Sequence, residues 1–273
     1  MLTKEQNQRF TEVGPGTEMG ELLHPERYPR EKLEKDKIIL GPHAYDTQFQ
    51  QQPKARAGSF YFNDEHFLEK QADGSLLPWK APPSCDAVFC VIDSASKAGK
   101  ENDGTGVVYY GLQMHPKPRL YVLDWGYEQM QANLLIVWLP NALRRCEELA
   151  RIHKARAGSQ GAWIEDKDSG IVLLQQAQAK RLKVRPIPAE LTSLGKDGRA
   201  LNCSGYIYEG RCCVTEEAYA KTSVYKGHSK NHFFQQATEF RMSHGTASDD
   251  DEMFDCLTYG NALAFGDRKG MVV

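Results

Sequence analysis

From residue 85 onward, apolar residues fall into short dense runs and helical stripes. Residues 1–84, by contrast, are rich in Glu, Lys, Gln, Pro and Gly and hold few apolar runs. The run Ala87-Val88-Phe89-Cys90-Val91-Ile92 predicts a strand buried on both faces, because a half-exposed strand would alternate apolar with polar residues. It gives out at Asp93. Residues 106–112 and 120–124 predict two further strands, with Pro116-Lys117-Pro118 turning the chain between them, so the first three strands form an antiparallel meander. Residues 128–154 have helical spacing, with Leu134, Leu135, Val137, Trp138, Leu139, Leu143, Cys146, Leu149 and Ile152 on or near one stripe. Pro140 is expected to kink or divide that helix. A fourth strand is predicted over 161–165, a helix over 169–180 and a fifth strand over 184–187. Residues 205–214 read as a hairpin, Thr215-Glu216-Glu217 caps a short helix, and Asp250 or Asp251 opens a last helix reaching Ala264.

The predicted order is β-β-β-α-β-α-β, then an insertion and a C-terminal helix: an α/β domain over 85–273. Residues 1–84 form an arm with too little periodic apolar content for its own core. It is expected to pack on the rest or to be partly disordered. Within it, 29–35 and 45–52 suggest short helices, 58–62 a short strand, and 77–83 a proline-rich linker.

A hydrophobic fraction of 41% is enough for a real core, and the formal net charge of -2 gives no global attraction to nucleic acid. Any nucleic-acid surface must therefore be local. No leader pattern opens the chain and no apolar run approaches the roughly 18 residues of a membrane span, which reads as a soluble intracellular protein. Seven cysteines, an odd number without C-x-x-C spacing, read as buried reduced thiols. Cys203, Cys212 and Cys213 with His228, His232 and His244 are a conceivable zinc set, although their spacing matches no finger or ribbon. Lys97-Ala98-Gly99-Lys100 is no phosphate-cradling G-x-x-x-x-G-K-[ST] loop, so nucleotide hydrolysis by this chain alone is not expected.

Three acidic positions then draw the chemistry together. Asp93 and Glu165 each end an apolar strand, and the cluster Asp249-Asp250-Asp251-Glu252-Met253-Phe254-Asp255 opens a helix on which Asp251 and Asp255 share a face. Each has an ordinary alternative: Asp93 as a turn cap, the cluster as a solvated helix N-terminus. Together they suggest converging carboxylates, which repel unless a cation neutralises them. All-oxygen donors without histidine favour magnesium or manganese over zinc. Two such ions about 3.5–4 Å apart suit phosphodiester hydrolysis. Lys167, and Lys196 and Arg199 in Gly195-Lys196-Asp197-Gly198-Arg199, are candidates to contact DNA phosphates. Arg144-Arg145 and the basic run from Lys180 to Arg185 are weaker ones.

These stretches resemble the C-terminal nuclease region of bacteriophage terminase large subunits. Residues 23–28, 44–53 and Gly58 are similar to the segment between that family's motor and nuclease. Val91-Ile92-Asp93 with Asp103 looks like its first acidic motif, and Trp163-Ile164-Glu165-Asp166-Lys167 with Gly170 like its second. Lys196-Asp197-Gly198-Arg199-Ala200 and the 251–257 segment look like its basic motif and closing acidic helix. The resemblance implies an RNase H-like mixed sheet flanked by helices and a metal-dependent endonuclease cutting double-stranded, concatemeric phage DNA during genome packaging. It implies two Mg²⁺ or Mn²⁺ ions held by Asp93, Glu165 and Asp251, with Asp255 in support, and Asp93, Glu165 and Asp251 as catalytic residues. The register of the third ligand stays open among Asp250, Asp251 and Asp255, because Glu252 and Cys256 depart from the family pattern. On the Asp251 register, Asp251→Asn abolishes cleavage while Asp255→Asn only weakens it.

No counterpart of the family's ATPase motor is read in this sequence: either the gene is split or degenerate or another polypeptide supplies the motor, so a separate motor, a small terminase subunit and a portal are the implied partners, in the cytoplasm of a bacterial host and without a membrane. The alternatives are a non-catalytic docking module of a packaging complex and a Holliday-junction resolvase or transposase-like nuclease of the same fold.

Overall fold

The apolar run that opens the domain is an inner strand of a six-stranded mixed sheet. The computed structural model describes residues 25–36, 45, 60–94, 104–167, 169–243 and 250–266. The strands are β1 (Ala87–Asp93), β2 (Thr105–Gln113), β3 (Arg119–Glu128), β4 (Ser159–Ile164), β5 (Val184–Pro186) and β6 (Cys212–Val214), in the spatial order β5-β4-β1-β2-β3-β6. β1, β2 and β3 form the expected antiparallel meander, while β4 pairs parallel with β1, β5 with β4 and β6 with β3. A meander extended by parallel strands, with helices on both faces, is the RNase H-like arrangement.

Burial on both faces explains the unbroken apolar reading of β1. Ala87, Phe89 and Val91 join one hydrophobic cluster and Val88, Cys90 and Ile92 the other. On the second face lie α1 (Ala132–Ile152) and α2 (Ser169–Ala179). On the first lie α4 (Lys196–Tyr208), α6 (His232–Glu239) and α7 (Glu252–Phe265), with α3 (Ala189–Thr192) and α5 (Glu216–Ala220) as short connecting helices. α1 is not divided: Pro140 lies inside one 21-residue helix. Leu135, Leu139, Leu143, Cys146 and Leu149 are buried along its length and carry it past the proline, whereas Leu134, Val137 and Ile152 face solvent.

Residues 205–214 are not a hairpin. Tyr206, Ile207 and Tyr208 are β-prone side chains in a row, but Ala200, Cys203 and Ile207 recur at helical spacing and are fully buried. The segment is the end of α4, followed by β6, which pairs with β3 far away in sequence. The hairpin of β7 (Ser223–Tyr225) and β8 (His228–Lys230), and helix α6 after it, were not anticipated.

The described part of the arm joins the same core. Phe62 and Phe67 are buried, and Phe62 packs near Phe254 and Tyr208. The expected linker adds to the sheet edge instead, since the Trp79 amide donates to the Val214 carbonyl at 2.9 Å. Residues 30–36 are helical. Nearly all of the expected 45–52 helix, and Gly58 and Ser59 of the expected strand, lie outside the described residues. No helix among the described residues is long and apolar enough to cross a membrane.

Helix α7 lies close against the sheet because a glycine permits it. A Cβ on Gly260 would sit 2.5 Å from the Tyr110 ring. The Tyr110 hydroxyl donates to the Cys256 carbonyl at 2.9 Å, so the ring cannot swing aside without breaking that bond. Gly260→Ala is therefore expected to lose about 1–3 kcal/mol through overpacking, roughly 2–4 °C of Tm per kcal/mol. Gly198→Ala, whose Cβ would meet Leu194 at an ordinary 3.6 Å, is expected to raise Tm through helix propensity. Thermal denaturation of the two variants checks the contrast; a Gly260→Ala protein as stable as the parent contradicts it.

Candidate metal and phosphodiester site

Three separate elements bring acids to one end of the sheet. Asp93 ends β1 and Glu165 directly follows β4. Asp251 occupies the N-cap position of α7, and Glu252 and Asp255 lie in its first turn. The two strand ends are tied together: the Ser169 hydroxyl donates to the Ser94 carbonyl at 3.0 Å, joining the start of α2 to the exit of β1. Gly170 is required beside Glu165, because a Cβ there would run into the Glu165 carbonyl oxygen.

Asp93 is the electrostatic focus. Burial first, and then Asp255, Glu165 and Glu252, push its carboxyl well above the usual carboxylate range, with Lys196 acting in the opposite sense. Burial also raises the Asp255 carboxyl, against the pull of Arg199 and Lys196.

Cations hold the other acids. Lys196 pairs with Asp251 and reaches Asp255 at 3.8 Å. Arg199 pairs with Asp255, donates to the Leu194 carbonyl at 2.8 Å and lies 4.7 Å over the Tyr259 ring. The Tyr259 hydroxyl in turn donates to Glu165 at 2.9 Å, and Lys167 pairs with the same carboxylate oxygen at 2.9 Å. One network therefore runs from Asp251 through Lys196, Asp255, Arg199 and Tyr259 to Glu165 and Lys167.

Of the three candidate phosphate contacts, Lys167 and Lys196 are partly exposed while Arg199 is only 6% exposed and turned inward. Arg199 is thus placed to hold Asp255 rather than to meet a large ligand. Asp250 pairs with Lys226 at 2.9 Å. Asp103, assigned by resemblance to the first motif, lies outside the described residues.

Glu252 was passed over in the sequence as a replacement for a family aspartate, yet it is buried beside Asp93 and accepts a 2.7 Å hydrogen bond from Tyr127. A bulge in β3 near Leu123 and Asp124 brings Tyr127 there. Leu120 and Val122 face the α7 side, and the shift in register returns Trp125 and Tyr127 to the same face. The sequence signal was the break in alternation between Val122 and Trp125.

The donor set is all oxygen and strongly anionic, which fits a hard divalent cation. Among the described residues, however, no three acidic, histidine or cysteine side chains are arranged as a ready cation cage; ammonium and guanidinium groups meet the carboxylates instead. The zinc alternative also has no cluster among the described residues. Burial pushes the Cys212 thiol up to about 12 and the Cys203 and Cys213 thiols up as well, His232 is bonded to the Ser223 carbonyl, and His244 lies outside the described residues.

No protein-family model matches the chain, and no curated protein matches its sequence. Among solved structures it is similar to the human cytomegalovirus terminase nuclease domain, with 10% identity and a TM-score of 0.48 over 66% of this chain and 84% of that one. A manganese-soaked, inhibitor-bound form of that domain gives 13% identity and a TM-score of 0.43 over the same shares. The large terminase nuclease of thermophilic phage G20c, solved with bound zinc, gives 11% identity and a TM-score of 0.39 over 73% of this chain and 94% of that one.

The raised Asp93 carboxyl has a consequence for stability. A carboxyl that binds its proton more tightly in the folded state loses stability as pH rises from its unfolded value of about 4 through its folded one. Asn at this position does not titrate. In metal-free buffer Asp93→Asn is therefore expected to raise Tm at neutral pH, by roughly 2–4 °C per kcal/mol relieved, with the gain shrinking toward pH ~4. Melting curves across pH with EDTA test this; a lower Tm for Asp93→Asn at neutral pH contradicts it.

Proposed function

We propose that this chain is a divalent-metal-dependent endonuclease of double-stranded DNA, of the kind that cuts concatemers during phage genome packaging. The observation that carries the reading is the convergence of Asp255, Glu165 and Glu252 on a half-buried Asp93 at the end of β1, where unneutralised carboxylates would be costly. Such an arrangement stores repulsion that bound cations relieve.

Asp93, Glu165 and Asp255 are the side chains that would hold magnesium or manganese. When bound, two such ions supply an activated water and charge stabilisation for the departing oxygen. In this reading Asp255 replaces Asp251 as the third ligand, because Asp255 is buried beside Asp93, while Asp251 lies at the partly exposed start of α7 and pairs with Lys196. Arg199 and Tyr259 position Asp255 and Glu165 through direct hydrogen bonds. Lys167, partly exposed beside Glu165, is placed to orient a phosphate, and Lys196 can leave Asp251 for one.

A second reading has its own support. The acids are already neutralised by Lys196, Arg199 and Lys167, as in a docking module of a packaging complex that retains the fold without the chemistry.

Cleavage of supercoiled plasmid in Mn²⁺, with EDTA as control, separates the two. The nuclease reading expects nicking and linearisation that disappear in Asp93→Asn and Asp255→Asn. Asp251→Asn, which removes a supporting contact, is expected to lower the rate by about 10–100-fold. Abolition by Asp251→Asn with mild loss in Asp255→Asn returns the third ligand to Asp251. A folded wild-type protein that leaves plasmid intact in both metals favours the docking module.

A further inference from the structure

Two of the seven cysteines meet in the core on the second face of the sheet. Cys90 lies on β1 and Cys146 on α1, and neither is exposed to solvent. Their sulfurs share one acceptor, the Gly161 carbonyl oxygen on β4, at 3.7 Å from Cys90 and 3.9 Å from Cys146. The two thiols also hydrogen-bond to each other. The pairing of β1 with β4 shifts register between Val88 and Cys90, and Gly161 has a φ of 80°. Only glycine fits there, because a Cβ would collide with the Lys183 carbonyl oxygen. The irregularity thus turns one carbonyl toward both thiols.

A path leads toward this pair from the surface. Near the C-terminal end of α1 lies a cleft of about 420 Å³, with Glu147, Ala150, Gly158 and Ser159 in its wall. Ser159 both lines the cleft and donates its hydroxyl to the Cys146 sulfur at 3.2 Å. Glu147 is the next residue after Cys146 on α1, and Ala150 lies one turn on. One hydroxyl therefore stands between the cleft and Cys146. Neither Gly161 nor Cys146, the partners of Cys90, lines that cleft.

The same contacts give the two sulfurs different characters. The hydrogen bond from Cys90, aided by Ser159, holds the Cys146 thiol below its ordinary value against the opposing effect of burial. The bond to Cys146, and then burial, push the Cys90 thiol well above it. Burial also raises the other five thiols, Cys85 and Cys212 up to about 12. Those five behave as packed apolar side chains. Cys146 is the sulfur that ionises first, with a protonated thiol in contact. That is the arrangement of an oxidisable thiol beside a resolving one.

We propose that Cys90 and Cys146 form a site of reversible oxidation by a small hydroperoxide, closing to a disulfide that ties β1 to α1; this stands apart from the nuclease reading. The Cys146 thiolate attacks one peroxide oxygen. The O–O bond breaks, an S–O bond forms, and the departing hydroxide takes up the proton of the Cys146 thiol and leaves as water. Cys90 then attacks the Cys146 sulfur. The S–S bond forms as the S–O bond breaks, and the second hydroxide leaves as water with the Cys90 proton. Two thiols and one hydrogen peroxide thus become one disulfide and two waters, the sulfurs giving two electrons to the peroxide. A dithiol reductant reverses the step by thiol–disulfide exchange.

The test exposes the folded full chain to hydrogen peroxide, then denatures it, alkylates the remaining thiols and maps the peptides without reduction. The expected product joins Cys90 to Cys146, leaves the other cysteines alkylated and disappears with dithiothreitol. Cys90→Ala is expected to stop at a Cys146 sulfenic acid, trapped by dimedone. Ser159→Ala, a milder change, is expected to slow the oxidation about 10-fold through loss of one hydrogen bond to the thiolate. Should Cys90→Ala fail to fold, the wild-type cross-link and Ser159→Ala decide the matter alone. Oxidation spread evenly over the cysteines, or a Cys146 no more reactive than the rest, overturns the inference. Cys146 carried to sulfinic acid with Cys90 still alkylated overturns the pairing. An unchanged rate in Ser159→Ala overturns the part given to its hydroxyl.

Discussion

Like charge gathered at the end of an apolar strand is the constraint on which the rest of this molecule turns. β1 is buried on both faces up to its carboxyl-terminal aspartate, which is half-buried, and the acids of two other elements are brought to the same place. Such a focus is costly unless it is neutralised. The Lys196–Asp251, Lys196–Asp255, Arg199–Asp255 and Lys167–Glu165 pairs supply that neutralisation. α4 exists at this face of the sheet with both basic residues in its first turn, and its buried side, Ala200, Cys203 and Ile207, fixes them there. Packing and electrostatics are therefore one problem: the helix that covers the sheet also carries the counter-charge.

The opposite wall is built by the bulge in β3. Without the extra residue Tyr127 would face α1, and Glu252 would lose its hydrogen-bond donor. Burial and Glu252 push the Tyr127 phenol up, so it stays protonated and donates. Tyr225 then rests on Tyr127, which couples the β7–β8 hairpin to the same buried acid. A side chain re-aimed by one residue thus links a surface element to the interior of the site.

Much of this was legible in the chain because the signals were local. The unbroken apolar run of β1, the stripe of α1 and the acids ending β1 and β4 all follow from burial acting on neighbouring residues. What escaped depended on distant partners. The end of α4 was read as part of a hairpin, although Tyr206, Ile207 and Tyr208 close a helix, and only α7 and the sheet decide that Ala200, Cys203 and Ile207 face inward. Pro140 was expected to kink or divide α1; the helix is not divided, and a row of buried leucines on both sides of the proline holds it together. Glu252 could not be singled out within a run of acids, since its distinction from Asp250 lies in which partner each meets: Tyr127 for one, Lys226 for the other. The pairing of Asp255 with Arg199 was likewise invisible in the sequence.

The proposal that most needs testing is that Asp93 organises a cation centre, beside which Lys196, Arg199 and Lys167 pair with the neighbouring acids. The most direct measurement is a Mn²⁺ titration of the full chain at neutral pH, followed by isothermal calorimetry or by the electron paramagnetic resonance signal of the free ion, with Asp93→Asn in parallel. Saturable Mn²⁺ binding by the wild type that is lost in Asp93→Asn is the predicted result. No saturable binding, or equal binding by the two proteins, contradicts it.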